Sequence, residues 1–398
     1  MQTIRAVIGK GFGDEGKGLV TDLYCSKSPN ALVIKHNGGA QAGHTVETGG
    51  KRFVFHQLSA GSFCNADTFW ARTYYPDLYK LGEEINAFEA AGGICPKIYC
   101  DAKTNITLIS DILLNMIAET MRGEDRHGSC GMGINECDLR TEAGFGITVN
   151  KILLSDASAL IKQIEDIGKE YVYPRLEVIR KEIGTEADAE VSEMIDMLDD
   201  PAVIVNSVDE MKKNAEKYVS VVYDTGHFLR TYDDIIFESG QGLLLDPVIS
   251  PFSPHVTASR TGLHNPMKIL SENGLKLSEA VYVTRSYVTR HGAGPLPYEC
   301  DKEKLGKIEH DLTNEDNPWQ GSIRYARHGD CGEFAEPVKK DIEENGGKNF
   351  GVILFVTHLN ETDGKLLLKE GDYKIAELDD QPMLRIFDGI RQSYSREN

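Results

Sequence analysis

The chain has 398 residues, 40% of them hydrophobic, enough to bury the core of one large α/β domain or two medium ones. Its formal charge of −19 excludes a duplex nucleic-acid binder, which needs a basic face, but not a small anionic substrate held by a few local Arg and Lys. The eight cysteines show no C-x-x-C spacing, the opening MQTIRAVIGK has no signal-type apolar stretch, and no apolar run nears the ~20 residues of a membrane span, so the expected setting is a reducing cytoplasm.

In chain order, TIRAVIG (3–9) and ALVIKH (31–36) read as buried strands, short, β-branched and closed by glycine turns. KGLVTDLYCSKS between them has helical spacing, so residues 3–36 form a strand–loop–helix–strand unit. A helix is expected over 74–93, ended by Gly-Gly, then a strand at 97–101 and an amphipathic helix over 106–123. Residues 151–217 are charged and helical, with apolar residues still at helical spacing, and read as a helical subdomain packed on the sheet. Strand signals return at 234–239, 280–289 and 350–359, followed by a hairpin over 364–378 and a short final helix. The expected fold is a single large α/β domain spanning 1–398, with a central mostly parallel β-sheet. Ligands of such a sheet bind at the carboxyl ends of its strands.

Unusual loops follow these strands. GFGDEGKG (11–18) has the outline of a phosphate loop: Gly11 and Gly16 frame Lys17, yet Gly18 stands where a magnesium-binding hydroxyl would be, and Asp14-Glu15 interrupts the turn. The loop amides, Lys17 and the helix N-terminus suit anionic phosphates. A carboxylate among phosphates would repel them unless it either holds Mg²⁺ or removes a substrate proton. NGGAQAGHT (37–45) supplies His44, suited to a transferring phosphoryl group. GQGLLLD (240–246) and RHGAGPLPYE (290–299) close the next two strands.

GDEGKG (13–18) followed by GGAQAGHT (38–45) resembles the paired signature of the adenylosuccinate synthetases. ESGQGLLLD (238–246), PHVTAS (254–259), VTRHGAGPLPYE (288–299) and THLNETDG (357–364) continue the resemblance in order, over about residues 10–364. It implies a homodimeric ligase that takes a purine nucleoside monophosphate, L-aspartate, ATP or GTP, and Mg²⁺. By position, Asp14 is the implied base and Mg²⁺ ligand, the Gly43 carbonyl a second ligand, and His44 the group facing the phosphoryl in flight. Gly13, Glu15, Gly16, Lys17, Gly18 and Thr45 fall at the nucleotide phosphates, and Thr357, His358 and Asn360 at its base. Gln41, Gln241, Leu245 and Thr257 fall at the substrate monophosphate, with Ser129 and Cys130 at the threonines of a GTTG-type loop. Arg140 is the implied arginine reaching across the dimer interface.

Departures cluster at base and aspartate recognition. Ala40-Gln41 stand in place of His-Asn. NPWQGSIRYARHGD (317–330) replaces the aspartate loop, leaving Ser322, Arg324 and Arg327 as its candidates. Asn360 replaces an aspartate that reads guanine, and a C-terminal Ser-Thr-Gly-Pro segment has no counterpart here. The expected reaction is adenylosuccinate formation from IMP, with ATP able to replace GTP. The alternative is the sister activity of phages, 2-aminoadenylosuccinate formation from dGMP, which would set the protein in a host cytoplasm. Phage enzymes of that branch commonly lose the loop aspartate that this chain keeps as Asp14. A catalytically silent nucleotide sensor is the reading from another class.

Overall fold

The computed structural model describes residues 2–123, 126, 128–184, 189–309, 321–347, 349–374 and, for the backbone alone, 390–392. Nine strands form one sheet in the order Ile390–Gln392, Gly351–Thr357, Glu279–Arg285, Thr3–Gly9, Asp234–Gly242, Ala31–Lys35, Asp67–Trp70, Ile98–Asp101, Val219–Val222. All their pairings are parallel. Parallel strands buried on both faces need continuous apolar runs, and Val7, Ile8, Leu32, Val33, Ile236, Phe237, Val281 and Tyr282 all have zero exposure. Because five adjacent central strands run the same way, the loops after residues 9, 35, 242, 285 and 357 emerge along one edge. Their close fit requires glycine at 242, where a Cβ would meet the Gly11 carbonyl oxygen at 2.1 Å.

The strands at 67–70 and 219–222, four residues each, were not among the expected elements. The helix expected over 74–93 is confined to Leu81–Ala90. Pro76 precedes it, and Asp77 Oδ1 accepts from the N–H groups of Tyr79 and Lys80, an alternative to helical pairing that delays the start. The stretch 280–289 divides into Glu279–Arg285 and Val288–Arg290, the second pairing antiparallel with Arg324–Ala326. Residues 151–217 hold helices Ala157–Ile167, Tyr173–Ile183, Ala189–Asp199 and Pro201–Tyr218, besides most of Val149–Leu154. Leu160, Ile164, Leu176, Ile179, Val208 and Met211 pack there with Leu113 and Ile117 of helix Ile109–Arg122 in one core. The expected hairpin forms from Lys365–Leu368 and Gly371–Lys374; the final short helix lies outside the described residues. No described helix is long and apolar enough to cross a membrane.

Candidate active site

A cavity of about 1970 Å³ opens along the carboxyl edge of the sheet, larger than one small ligand needs. Gly13, Asp14, Gly16, Lys17, Gly18, Gln41, Gly43, His44, Thr45, Ser129, Cys130, Gln241, Leu245, Thr257, Thr357, His358 and Asn360 all line it. These residues come to the one cavity from five separate loops.

The first loop turns through left-handed backbone at Gly13, Asp14 and Gly16 (φ 110°, 61° and 89°) before helix Lys17–Cys25 begins. Its two carboxylates point different ways. Glu15 turns inward and is absent from the cavity wall, contrary to the phosphate-binding role expected of it. Its Oε1 accepts from Gly11 and Gly13 N–H at 2.9 Å each, and its Oε2 lies 2.7 Å from Lys17 Nζ. Burial opposes its ionisation, but the Lys17 ammonium and the loop N–H groups outweigh it and hold the carboxyl below the usual range. Glu15 is thus a strut inside the loop. Asp14 turns outward, its side chain 28% exposed, with His291 Nε2 3.7 Å from Oδ2. Arg285 and Thr357 fix the loop backbone from below, donating to the carbonyls of Asp14 and Glu15.

His44 begins the hairpin His44–Thr48 and Lys51–Phe55. Its side chain is 5% exposed, with Nδ1 3.0 Å from Glu238 Oε1, although not aligned as a hydrogen bond. Its Nε2 has no hydrogen-bond partner among the described residues. Glu238 also meets Lys35 Nζ at 3.3 Å. Burial opposes ionisation of Glu238, but His44 and Lys35 outweigh it and bring its carboxyl to about 2. Burial keeps the His44 imidazole below its ordinary value even against the pull of Glu238. The second loop is tied to the third by Asn37, which donates to Gln241 Oε1 at 3.2 Å and accepts from Gly240 N–H at 2.9 Å. The 128–133 turn is tied to helix Ile109–Arg122: Ser129 Oγ donates to Asn115 Oδ1, and Glu119 accepts from Gly128 and Ser129 N–H.

Two expected arginines are committed elsewhere. Arg140 has no exposure and forms a two-point ion pair with Asp111, while also donating to the carbonyls of Ile106 and Phe145. It serves its own chain's core, where all of these contacts are made. Arg327 donates to the Leu368 carbonyl and pairs with Asp372, away from the cavity. Arg324 donates to the Gly294 carbonyl at 2.7 Å, and Ser322 is exposed; neither lines the cavity. Tyr325, Arg290 and His291 line it instead. His291 and Arg290 lie in the RHGAGP motif, where an imidazole and a guanidinium between a strand and glycines were a readable signal. Glu238 had a signal too, a carboxylate directly after the apolar run Ile235–Phe237 inside a strand.

These features define an α/β protein with a glycine-rich loop before a helix and an aspartate and a histidine facing one cavity at the edge of a parallel sheet. Residues 6–332 match the family model described as adenylosuccinate synthetase, and the chain belongs to that family. It is similar to the adenylosuccinate synthetase of Arthrobacter sp. (strain FB24), 29% identical over 302 residues, covering 75% of this chain and 65% of that one. The similarity to the Methanococcoides burtonii enzyme is 29% over 347 residues, 85% of this chain and 75% of the relative. The chain spans just under two thirds of the first curated relatives' length, 65% and 66%. Its fold is like that of fully ligated Plasmodium falciparum adenylosuccinate synthetase: TM-score 0.68, 21% identity, coverage 92% of this chain and 80% of that one. It is also like cyanophage S-2L succinoaminodeoxyadenylate synthetase, bound to dGMP and to dATP as an energy donor: TM-score 0.55, 18% identity, coverage 99% and 92%.

Proposed function

We propose that the protein is a C–N ligase that joins L-aspartate to C6 of a 6-oxopurine nucleoside monophosphate, IMP, and splits a nucleoside triphosphate to diphosphate and phosphate. The observation that carries this reading is the pairing of an outward Asp14 carboxylate with an unpartnered His44 Nε2 in one cavity with Lys17. Asp14 takes the N1 proton, so that O6 becomes the nucleophile toward the γ-phosphate. His44 faces the phosphoryl group as charge develops on it, in a buried setting where such contacts are strongest. The amine of aspartate then displaces phosphate from C6. Lys17 exchanges its contact with Glu15 for the triphosphate, and Thr45 and the loop amides share that load.

Magnesium suits this donor set. Asp14 and the Gly43 carbonyl are hard oxygen donors on the cavity wall, and magnesium at phosphates typically takes one or two carboxylates plus phosphate oxygens and water. When bound, it would neutralise charge on the triphosphate. Gln41, Gln241, Leu245, Thr257, Ser129 and Cys130 remain the proposed monophosphate contacts, and Thr357, His358 and Asn360 the contacts to the triphosphate base; all share the cavity. The homodimer stays part of the proposal, with each site free of Arg140. Guanine monophosphates present the same N1–H and O6, and dGMP is the alternative substrate. Asp14→Asn tests the reading: turnover should fall about 10²–10⁴-fold with the fold intact. A variant keeping more than about a tenth of the wild-type rate would remove Asp14 as the base.

A further inference from the structure

A second imidazole flanks Asp14. His291, in the loop after strand Val288–Arg290, puts Nε2 3.7 Å from Asp14 Oδ2, beyond hydrogen-bond distance. Both of its ring nitrogens are buried without a hydrogen-bond partner among the described residues. The ring lines the shared cavity, its side chain 12% exposed. Its loop is braced: Arg290 donates to the carbonyls of Pro295 and His255 and lies over the Phe12 ring at 4.4 Å. A buried polar atom left unpaired carries a full desolvation cost unless a ligand satisfies it. With the ring proton on Nδ1, His291 Nε2 and Asp14 Oδ2 are two acceptors 3.7 Å apart on one cavity wall, unable to satisfy each other and suited to a ligand with two adjacent N–H donors.

We infer that His291 is a substrate-contacting residue that reads the C2 edge of the purine, accepting a hydrogen bond from a 2-amino group where one is present. This rests on the proposal that Asp14 receives the N1 proton of a 6-oxopurine. With N1–H on Asp14, the planar ring puts O6 on one side and C2 on the other. His44 comes from the hairpin, its Cβ 3.0 Å from where a Cβ on Gly18 would stand, and takes the O6 side. His291 comes from a separate wall, where Ala293 and Gly292 lie against Gly128, and takes the C2 side. Guanine has an amino donor there; hypoxanthine has only C–H. A site with a fixed acceptor discriminates against the analogue that leaves it unpaired.

The test compares kcat/KM for dGMP and GMP with that for dIMP and IMP, at one pH and saturating aspartate and ATP, in wild type, His291→Ala and His291→Gln. Whatever the absolute preference, His291→Ala should lower the guanine-to-hypoxanthine ratio about tenfold or more, chiefly through KM. His291→Gln keeps a carbonyl acceptor and should recover part of the ratio. A ratio within about twofold of wild type in His291→Ala, or equal losses on both purines, would overturn the inference, since the ring would then only position Asp14. Calorimetric titration of GMP and IMP gives the same ratio without turnover. A guanine-over-hypoxanthine binding ratio that falls in His291→Ala, in a protein that turns over no monophosphate, would remove the ligase reading and keep the inference. No binding of either nucleotide would remove both.

Discussion

Replacing Arg140 with methionine should destabilise the chain and leave a lesion that no partner subunit repairs. The guanidinium donates Nε to Asp111 Oδ1 at 2.8 Å and Nη2 to Oδ2 at 2.9 Å, and both side chains have zero exposure. It also satisfies the carbonyls of Ile106 at 2.8 Å and Phe145 at 2.7 Å. Asp111 in turn caps helix Ile109–Arg122 by accepting from Leu108 N–H at 2.9 Å. Methionine fills much of the volume but strands a buried carboxylate, and breaking a buried pair from one side costs about 3–5 kcal/mol. With a urea slope of about 3 kcal/mol/M, the unfolding midpoint should fall by about 1 M or more. The double variant Arg140→Met/Asp111→Asn removes both charges, keeps an acceptor for Leu108, and should regain over half of that loss. Mixed with Asp14→Asn protein under conditions where subunits exchange, Arg140→Met should show no activity beyond that of the separate variants. Stability within about 1 kcal/mol of wild type, a small fraction of the cost of an unpaired buried charge, would refute the reasoning. So would activity recovered in the mixture.

Two further outcomes follow from individual side chains. Asn360 lines the cavity with an amide, one donor beside one acceptor, which matches the edge of adenine better than that of guanine. ATP should therefore serve at least as well as GTP by kcat/KM, and Asn360→Asp should move the ratio toward GTP by about tenfold, or ~1.4 kcal/mol. A wild-type preference for GTP of that size would contradict this. Asp341 is fully buried, and burial lifts its carboxyl from 3.8 to about 7 despite hydrogen bonds from Leu263 N–H and Tyr282. The folded state then keeps a proton that the unfolded chain releases, so this stabilisation is complete below the unfolded value and lost as pH rises through about 7. Urea midpoints at pH 5 and pH 8 should converge in Asp341→Asn, and an unchanged difference would show that the group is ionised in the fold.

The central strands were legible because two-sided burial demands unbroken apolar runs, as in Ala31–Ile34. The loops were legible because anion sites and tight turns demand glycine at fixed offsets. The hairpin at 44–55 was also in reach: Thr48-Gly49-Gly50-Lys51 is a two-glycine turn, and both glycines adopt positive φ. What the sequence could not reveal was direction. Glu15 and Asp14 are neighbours with the same chemistry, yet Lys17 and two N–H groups draw one inward while the other faces the cavity. Arg140 and Arg327 carried the right charge for anions, but Asp111 and Asp372 claim them, a pairing across 29 and 45 residues that no local pattern announces. His291 had a readable setting beside glycines, but its place against Asp14 is set by a separate loop, beyond the reach of any local pattern.

The most direct measurement is phosphate release and product mass with IMP, dIMP, GMP and dGMP, each with ATP or GTP and with or without L-aspartate. The account predicts release that requires a 6-oxopurine monophosphate and aspartate together, with a product heavier by the aspartyl group and release by Asp14→Asn slower by about 10²–10⁴-fold. Release independent of aspartate, or no release with any of the four in a folded protein that binds them, would contradict it.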